Sequence, residues 1–86
     1  MSVYVDDMAA HFGRMVMCHM GADTVEELHA MADAIGVQRK GFQNHGRFSH
    51  YDIAKSKRKQ AVEMGAVEVS KREFVQRLRV RMGDEA

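Results

Sequence analysis

Met15-Val16-Met17-Cys18-His19-Met20, read MVMCHM, is the stretch on which the fold turns. Its two alternating sets are Met15, Met17, His19 and Val16, Cys18, Met20. A strand exposes alternate residues on opposite faces, so both faces of this one are apolar apart from His19. A strand of that kind sits centrally in a sheet and is covered on both sides. The rest of the chain must then supply flanking strands and two layers of cover.

Upstream, Val3-Tyr4-Val5 reads as a short strand stopped by Asp6-Asp7. Residues 8–14, with Gly13, read as a loop. That loop is too short for a parallel crossover, which needs about a dozen residues. The first strand is therefore either antiparallel to the MVMCHM strand or not its neighbour. Downstream, Thr24-Val-Glu-Glu27 is a capping box, in which the threonine hydroxyl accepts a backbone N–H three residues on. The helix it opens carries Val25, Leu28, Met31, Ala32 and Ile35 on one stripe, and Gly36 closes it.

Residues 37–42 read as a short strand and residues 41–46 as a loop. Asp52 then stands as N-cap of a second helix that runs to Met64 and ends at Gly65, with Ile53, Ala61 and Met64 as its buried face. Residues 66–69 read as a strand. Ser70-Lys-Arg-Glu73 is a second capping box, and the last helix buries Phe74, Val75, Leu78 and Met82 up to Gly83. The order of elements predicts one small α/β domain over residues 1–86. It has three to four short strands in a mostly parallel or mixed sheet, with about three helices.

With 86 residues, no proline and one cysteine, Cys18, the chain cannot close an internal disulfide. That fits a reducing, cytoplasmic setting. The acidic start MSVYVDDM is unlike a basic signal peptide. No apolar run approaches the roughly 20 residues that span a bilayer, so no membrane partner is expected. Net charge is +1 but is unevenly distributed. Residues 1–33 hold six acids and Arg14, giving −5, whereas residues 34–86 hold twelve bases and six acids, giving +6. Such asymmetry points to an anionic partner, or to two halves that neutralise each other.

The polar candidates lie at strand ends under this reading. Asp6 and Asp7 follow the first strand, Asp23 follows the second, and His50-Tyr51-Asp52 follows the third. Open α/β sheets bind ligands beyond the carboxyl ends of their strands. Asp6, Asp7 and Asp23 are the candidate ligands for Mg²⁺ or Mn²⁺, which prefer oxygen donors. His50 is the candidate acid or base, with Asp52 beside it. Arg14, Tyr51, Lys55, Arg58 and Lys59 are the candidate contacts to a phosphate-bearing ligand. Two further histidines have quieter readings. His19, on an apolar strand, reads as a hydrogen-bonded core residue. His29 reads with Glu26 and Asp33 as a solvated helix face. Cys18, flanked by apolar residues, reads as a buried, inert thiol.

Taken in order, Val5-Asp6-Asp7, Gly13-Arg14, Cys18-His19-Met20, Ala22-Asp23, Glu27 to Asp33, His50-Tyr51-Asp52 and Gly65-Ala66-Val67 resemble a small family of bacteria and tailed phages. It is known as domain of unknown function family 4031. The resemblance covers nearly the whole chain and implies a phage or bacterial origin. It also implies that Asp6, Arg14, His19, Asp23, His50 and Asp52 occupy the family's recurrent polar positions. The family tends to carry proline in the loop matching Ala9-Ala10-His11 and before the His-Tyr-Asp triplet. Here alanines and Ser49 stand instead.

Three functions follow as expectations. The first is a protein that binds a nucleic acid or nucleotide through its phosphate, using the rim and the Lys55–Lys59 cluster. The second is a metal-dependent phosphodiester or phosphate hydrolase. The third is a phage protein that binds and modulates a host protein, with Val80 on an exposed helix side.

Overall fold

The computed structural model describes residues 2–7, 10–12, 15–44 and 49–85, and all their side chains except those of 10–12, 15 and 80–85. The central strand is β3 (Met15–Ala22). One of its edges carries β5 (His50–Ala54), antiparallel, with Cys18 opposite Ile53, His19 opposite Asp52 and Met20 opposite Tyr51. The other edge carries β1 (Val3–Val5), antiparallel, with Val5 opposite Met20. Further along that same edge lies β2 (Ala10–Phe12), with Ala10 opposite Met17. A two-residue strand β4 (Phe42–Gln43) borders β5. The last strand, β6 (Val67–Glu68), borders β1 in parallel. The helices are α1 (Val25–Ala34), α2 (Lys55–Glu63) and α3 (Lys71–Glu85).

The domain is thus α/β with a mixed sheet and three helices, and the short first connection is antiparallel, as the loop-length argument allowed. Six strands are described rather than three or four, and only β1–β6 pairs in parallel. The extra strand β2 lies inside residues 8–14, which read as a loop. Three-residue strands leave too short an alternation to register as a pattern.

The largest departure concerns His50-Tyr51-Asp52. The triplet is in strand β5, and α2 begins three residues later with Ala54, not Asp52, as its N-cap. Tyr51 and Ile53 are buried, while His50, Asp52 and Ala54 are half-buried on the opposite face. The period is two. A helical wheel also accommodated Ile53, because so short an apolar set fits both periods. Met64, expected on the buried face, is the C-cap of α2 and is 56% exposed. Gly83 does not end α3, which continues to Glu85. Residues 39–41 form a 3₁₀ turn where a strand was expected.

Two layers cover the sheet. On one face Cys18, Met20, Ala22, Tyr51 and Ile53 pack with Leu28, Ala32 and Ile35 from the α1 segment and Ala61 of α2. Each fully buried Leu, Ile or Met side chain there contributes about 1.5–3 kcal/mol. On the other face Tyr4 packs with Val69 and with Phe74 and Leu78 of α3. Gly21 makes that contact feasible. A Cβ there would lie 3.0 Å from both Phe74 Cζ and Tyr4 Cε2.

The caps behave as their sequences indicated. Thr24 Oγ1 accepts the Glu27 N–H at 3.1 Å and donates to Glu27 Oε1 at 2.9 Å. Ser70 Oγ accepts the Glu73 N–H at 3.1 Å. Gly36 and Gly65, at φ of 77° and 107°, terminate α1 and α2 in the left-handed region that glycine adopts without strain. Among the described residues, no helix is long and apolar enough to cross a membrane.

Candidate functional site

The second face of the sheet is only partly covered by α3. His19 of β3 projects from that face, and so do His50 and Asp52 of β5, because each alternates with a buried neighbour on the first face. Cross-strand pairing puts His19 opposite Asp52, and His50 is two residues away on the same side. The His19 and His50 rings meet edge to face with centroids 4.8 Å apart. Phe74 of α3 flanks His19 at 5.7 Å.

Behind His19 stands Asp6, fully buried at the end of β1. Its Oδ1 accepts the His19 backbone N–H at 2.8 Å, and its Oδ2 lies 2.8 Å from His19 Nδ1. A carboxylate only accepts, so Nδ1 carries the hydrogen in this pair and Nε2 of the neutral ring keeps a free lone pair. Nε2 points toward Asp52 Oδ1, 3.5 Å away. His50 Nε2 lies 3.3 Å from the same oxygen. Both are within ion-pair reach, yet Asp52 Oδ1 is a buried atom with no hydrogen-bond partner. The hydrogen bond His19 donates to Asp6 is the main influence holding the His19 pKa above its usual value. Partial burial opposes it, the charges of Asp6 and Asp52 add to it, and Lys71 counters them.

His19, His50 and Asp52 offer one donor atom each within 4.8 Å of one another. The adjoining hollow, of about 130 Å³, is bounded by His19, His50 and Lys71 on the polar side and by Phe74, Val75 and Leu78 on the apolar side. Lys71 opens α3, where its backbone N–H is accepted by Asp7 Oδ1 at 3.1 Å.

The other predicted site residues are dispersed. Asp7 caps α3 through that bond. Asp23 accepts the Ser2 N–H at 3.0 Å, at the opposite end of β1. By strand rise that is about 13 Å from Asp6. The carboxylates of Asp6, Asp7 and Asp23 therefore do not share one centre, and Asp6 serves His19 instead. The shared rim depended on parallel strands, and antiparallel neighbours send their ends to opposite sides.

Tyr51 is fully buried on the first face, where its hydroxyl and His29 Nδ1 share a hydrogen bond at 2.6 Å. Burial pushes its phenol pKa up, so the hydroxyl keeps its proton. His29 is accordingly half-buried against Tyr51 and Phe42 rather than solvated. Arg58 binds the Asp6 carbonyl through Nε at 2.8 Å and Glu68 Oε1 through Nη1 at 3.0 Å, tying α2 to β1 and β6. Lys55 and Lys59 are exposed beside a groove of about 520 Å³ along α2, on the first-face side of the sheet. Arg14 lies outside the described residues, as does the side chain of Val80.

Sequence reasoning ranked His19 as core and passed over Lys71. His19 follows once β5 is read as a strand, because the pairing then aligns it with Asp52, whereas Lys71 depends on where α3 crosses the sheet.

A family model described as "Protein of unknown function (DUF4031)" matches residues 3–81. The chain belongs to the DUF4031 family. No curated protein and no solved structure matches it. In this DUF4031 chain the described polar positions implied by the resemblance, all but Arg14, divide into two groups. Asp6, His19, His50 and Asp52 meet on the second face, and Asp23 does not join them.

Proposed function

We propose that this DUF4031 domain hydrolyses phosphate esters at the His19–His50–Asp52 cluster with the aid of a bound divalent ion. The observation that carries the reading is the buried Asp52 Oδ1. It faces two imidazole nitrogens at 3.3 and 3.5 Å and makes no hydrogen bond. A buried carboxylate oxygen left in that state costs on the order of 1–3 kcal/mol, which a cation would offset.

A bound ion lowers the pKa of a coordinated water and neutralises charge on a phosphoryl oxygen. The chain's own residues supply the rest. Three donors on rigid strands leave further coordination positions facing the hollow. Lys71 places a cation at the mouth, suited to a phosphoryl oxygen. The apolar wall of Phe74 and Leu78 keeps water from one side. In the reaction, a water oxygen bonds to phosphorus, the phosphorus–ester oxygen bond breaks, the water's proton leaves to solvent, and the departing alcohol takes one up.

Lys55 and Lys59 have no part in this reading, because α2 packs on the other face of the sheet. The test is hydrolysis of p-nitrophenyl phosphate and bis-p-nitrophenyl phosphate across a panel of divalent ions. Chelator-sensitive turnover that disappears in Asp52→Asn and His50→Ala is the expected result. Absence of turnover of both esters with every ion in the panel would count against the proposal.

A further inference from the structure

We infer that the ion at this cluster is a first-row transition metal, held by Nε2 of His19, Nε2 of His50 and the Asp52 carboxylate, with Asp6 as the outer carboxylate that fixes the His19 tautomer. The inference rests on the proposed site but concerns which ion it takes, and its test reads binding rather than turnover.

The donor set decides the class. Mg²⁺ and Ca²⁺ take oxygen ligands almost exclusively, and the carboxylates that could have made an all-oxygen site are dispersed to Asp7's cap and Asp23's turn. Two imidazoles and one carboxylate with open positions suit zinc, iron, cobalt or manganese instead. Spacing agrees. Bonds of about 2.0–2.1 Å at tetrahedral angles put neighbouring donors roughly 3.3 Å apart. The two nitrogen–oxygen separations are 3.3 and 3.5 Å, and all three donor atoms lie within 4.8 Å of one another, the widest pair closing on binding. Donors on adjacent antiparallel strands are also held by the sheet itself, so little ordering remains to be done on binding.

The outer shell agrees as well. Metal-bound histidines usually donate their second N–H to a carboxylate, and loss of that partner weakens metal affinity about 10–100-fold. Asp6 is fully buried, 2.8 Å from Nδ1, and its other oxygen is anchored by the His19 backbone N–H. It therefore holds the lone pair of Nε2 toward Asp52. Asp6→Asn is nearly isosteric, but its amide can donate to Nδ1. That would move the ring hydrogen to Nε2 and block the ligand atom.

The experiment is titration of the full chain with Zn²⁺, Co²⁺ and Mg²⁺ by calorimetry. Visible absorption of the Co²⁺ form and ¹⁵N–¹H spectra of the histidine rings in the metal-free protein accompany it. Expected are one equivalent of Zn²⁺ or Co²⁺, cobalt bands in the visible, Mg²⁺ binding at least 100-fold weaker, and an Nδ1–H tautomer for His19. Asp6→Asn should lower Zn²⁺ affinity about 10–100-fold and switch the tautomer, with unchanged far-ultraviolet circular dichroism. His50→Ala should abolish the cobalt bands. Mg²⁺ binding as tight as Zn²⁺, no binding of Zn²⁺ or Co²⁺, or an Nε2–H tautomer in the wild-type chain would each overturn the inference. The wild-type spectra decide the tautomer even where a variant fails to fold. Tight Zn²⁺ binding without hydrolysis would leave this inference standing and remove the proposed reaction. Hydrolysis supported by Mg²⁺ alone would do the reverse.

Discussion

The two faces of this sheet are made from the same strands and do opposite work. Along β3, Cys18 and Met20 point into a sealed layer under α1 and α2, and His19 between them points to a layer that α3 only partly closes. Along β5, Tyr51 and Ile53 go one way, and His50 and Asp52 the other. The sealed face spends its area on apolar burial. The open face spends it on four polar side chains whose mutual geometry is set by strand pairing. A strand with period two can carry both duties without compromise, since neither face constrains the other's chemistry.

That contrast is sharpest in stability. Ile53, 1% exposed, anchors the sealed face. Ile53→Ala should destabilise the domain by about 2–4 kcal/mol through lost burial and the cavity left behind. Urea denaturation measures this directly. A cost below about 1 kcal/mol would mean that the sealed layer is loosely packed and that the two faces differ less than the burial indicates.

Gly21→Ala probes the closed half of the second face. The added methyl meets the Phe74 and Tyr4 rings at 3.0 Å, so those rings must give by a few tenths of an ångström. Overpacking of this kind costs about 1–3 kcal/mol. Because His19 sits two residues away and Phe74 lies against its ring, metal affinity should fall together with stability. If only stability falls, the cluster is held by β3 and β5 alone and α3 is dispensable to it.

Ser70→Ala removes the oxygen that accepts the Glu73 N–H at the start of α3. The expected loss is about 0.5–2 kcal/mol. Asp7, which takes the Lys71 N–H, should keep the helix start in place. A thermal melt of Ser70→Ala against the double variant with Asp7→Ala separates the two caps.

How much of this was legible beforehand follows the length of each signal. The capping boxes at Thr24 and Ser70 are local and were read correctly, because a cap needs only four residues of context. The apolar character of Met15–Met20 was enough to place β3 at the centre. Loop length left the first pairing antiparallel or absent, and the structure shows it antiparallel. The His50–Asp52 strand was not legible as such, since Asp52 before a basic helical run is also a good N-cap. That one choice hid the site. With Asp52 on a helix cap, His19 has no partner and reads as core. With Asp52 on β5, the register places it opposite His19. The expected strand-end rim grouped His50 with Asp52, which the structure also brings together, but on a face of the sheet rather than at the strand ends. Lys71 gave no signal at all, because its role depends on where α3 crosses the sheet.

The smallest expected effect tests the comparison from the other side. Lys55 and Lys59 are exposed on α2 and hold the charge that first drew attention to this part of the chain. They sit across the sheet from the cluster, whereas Arg58 between them is tied to Asp6 and Glu68. Replacing both lysines with alanine should change stability by no more than about 0.5 kcal/mol. Metal affinity and hydrolysis of a small phosphate ester should also stay as they are, since the nearest elements to the cluster are β3, β5 and α3. An oligonucleotide is the discriminating ligand. If the double variant loses oligonucleotide binding that weakens with salt, α2 is an independent phosphate-contacting surface, and the chain carries one function on each face. If small-ester hydrolysis falls as well, charge on α2 reaches the cluster through the sheet, and the separation between the faces is structural but not functional.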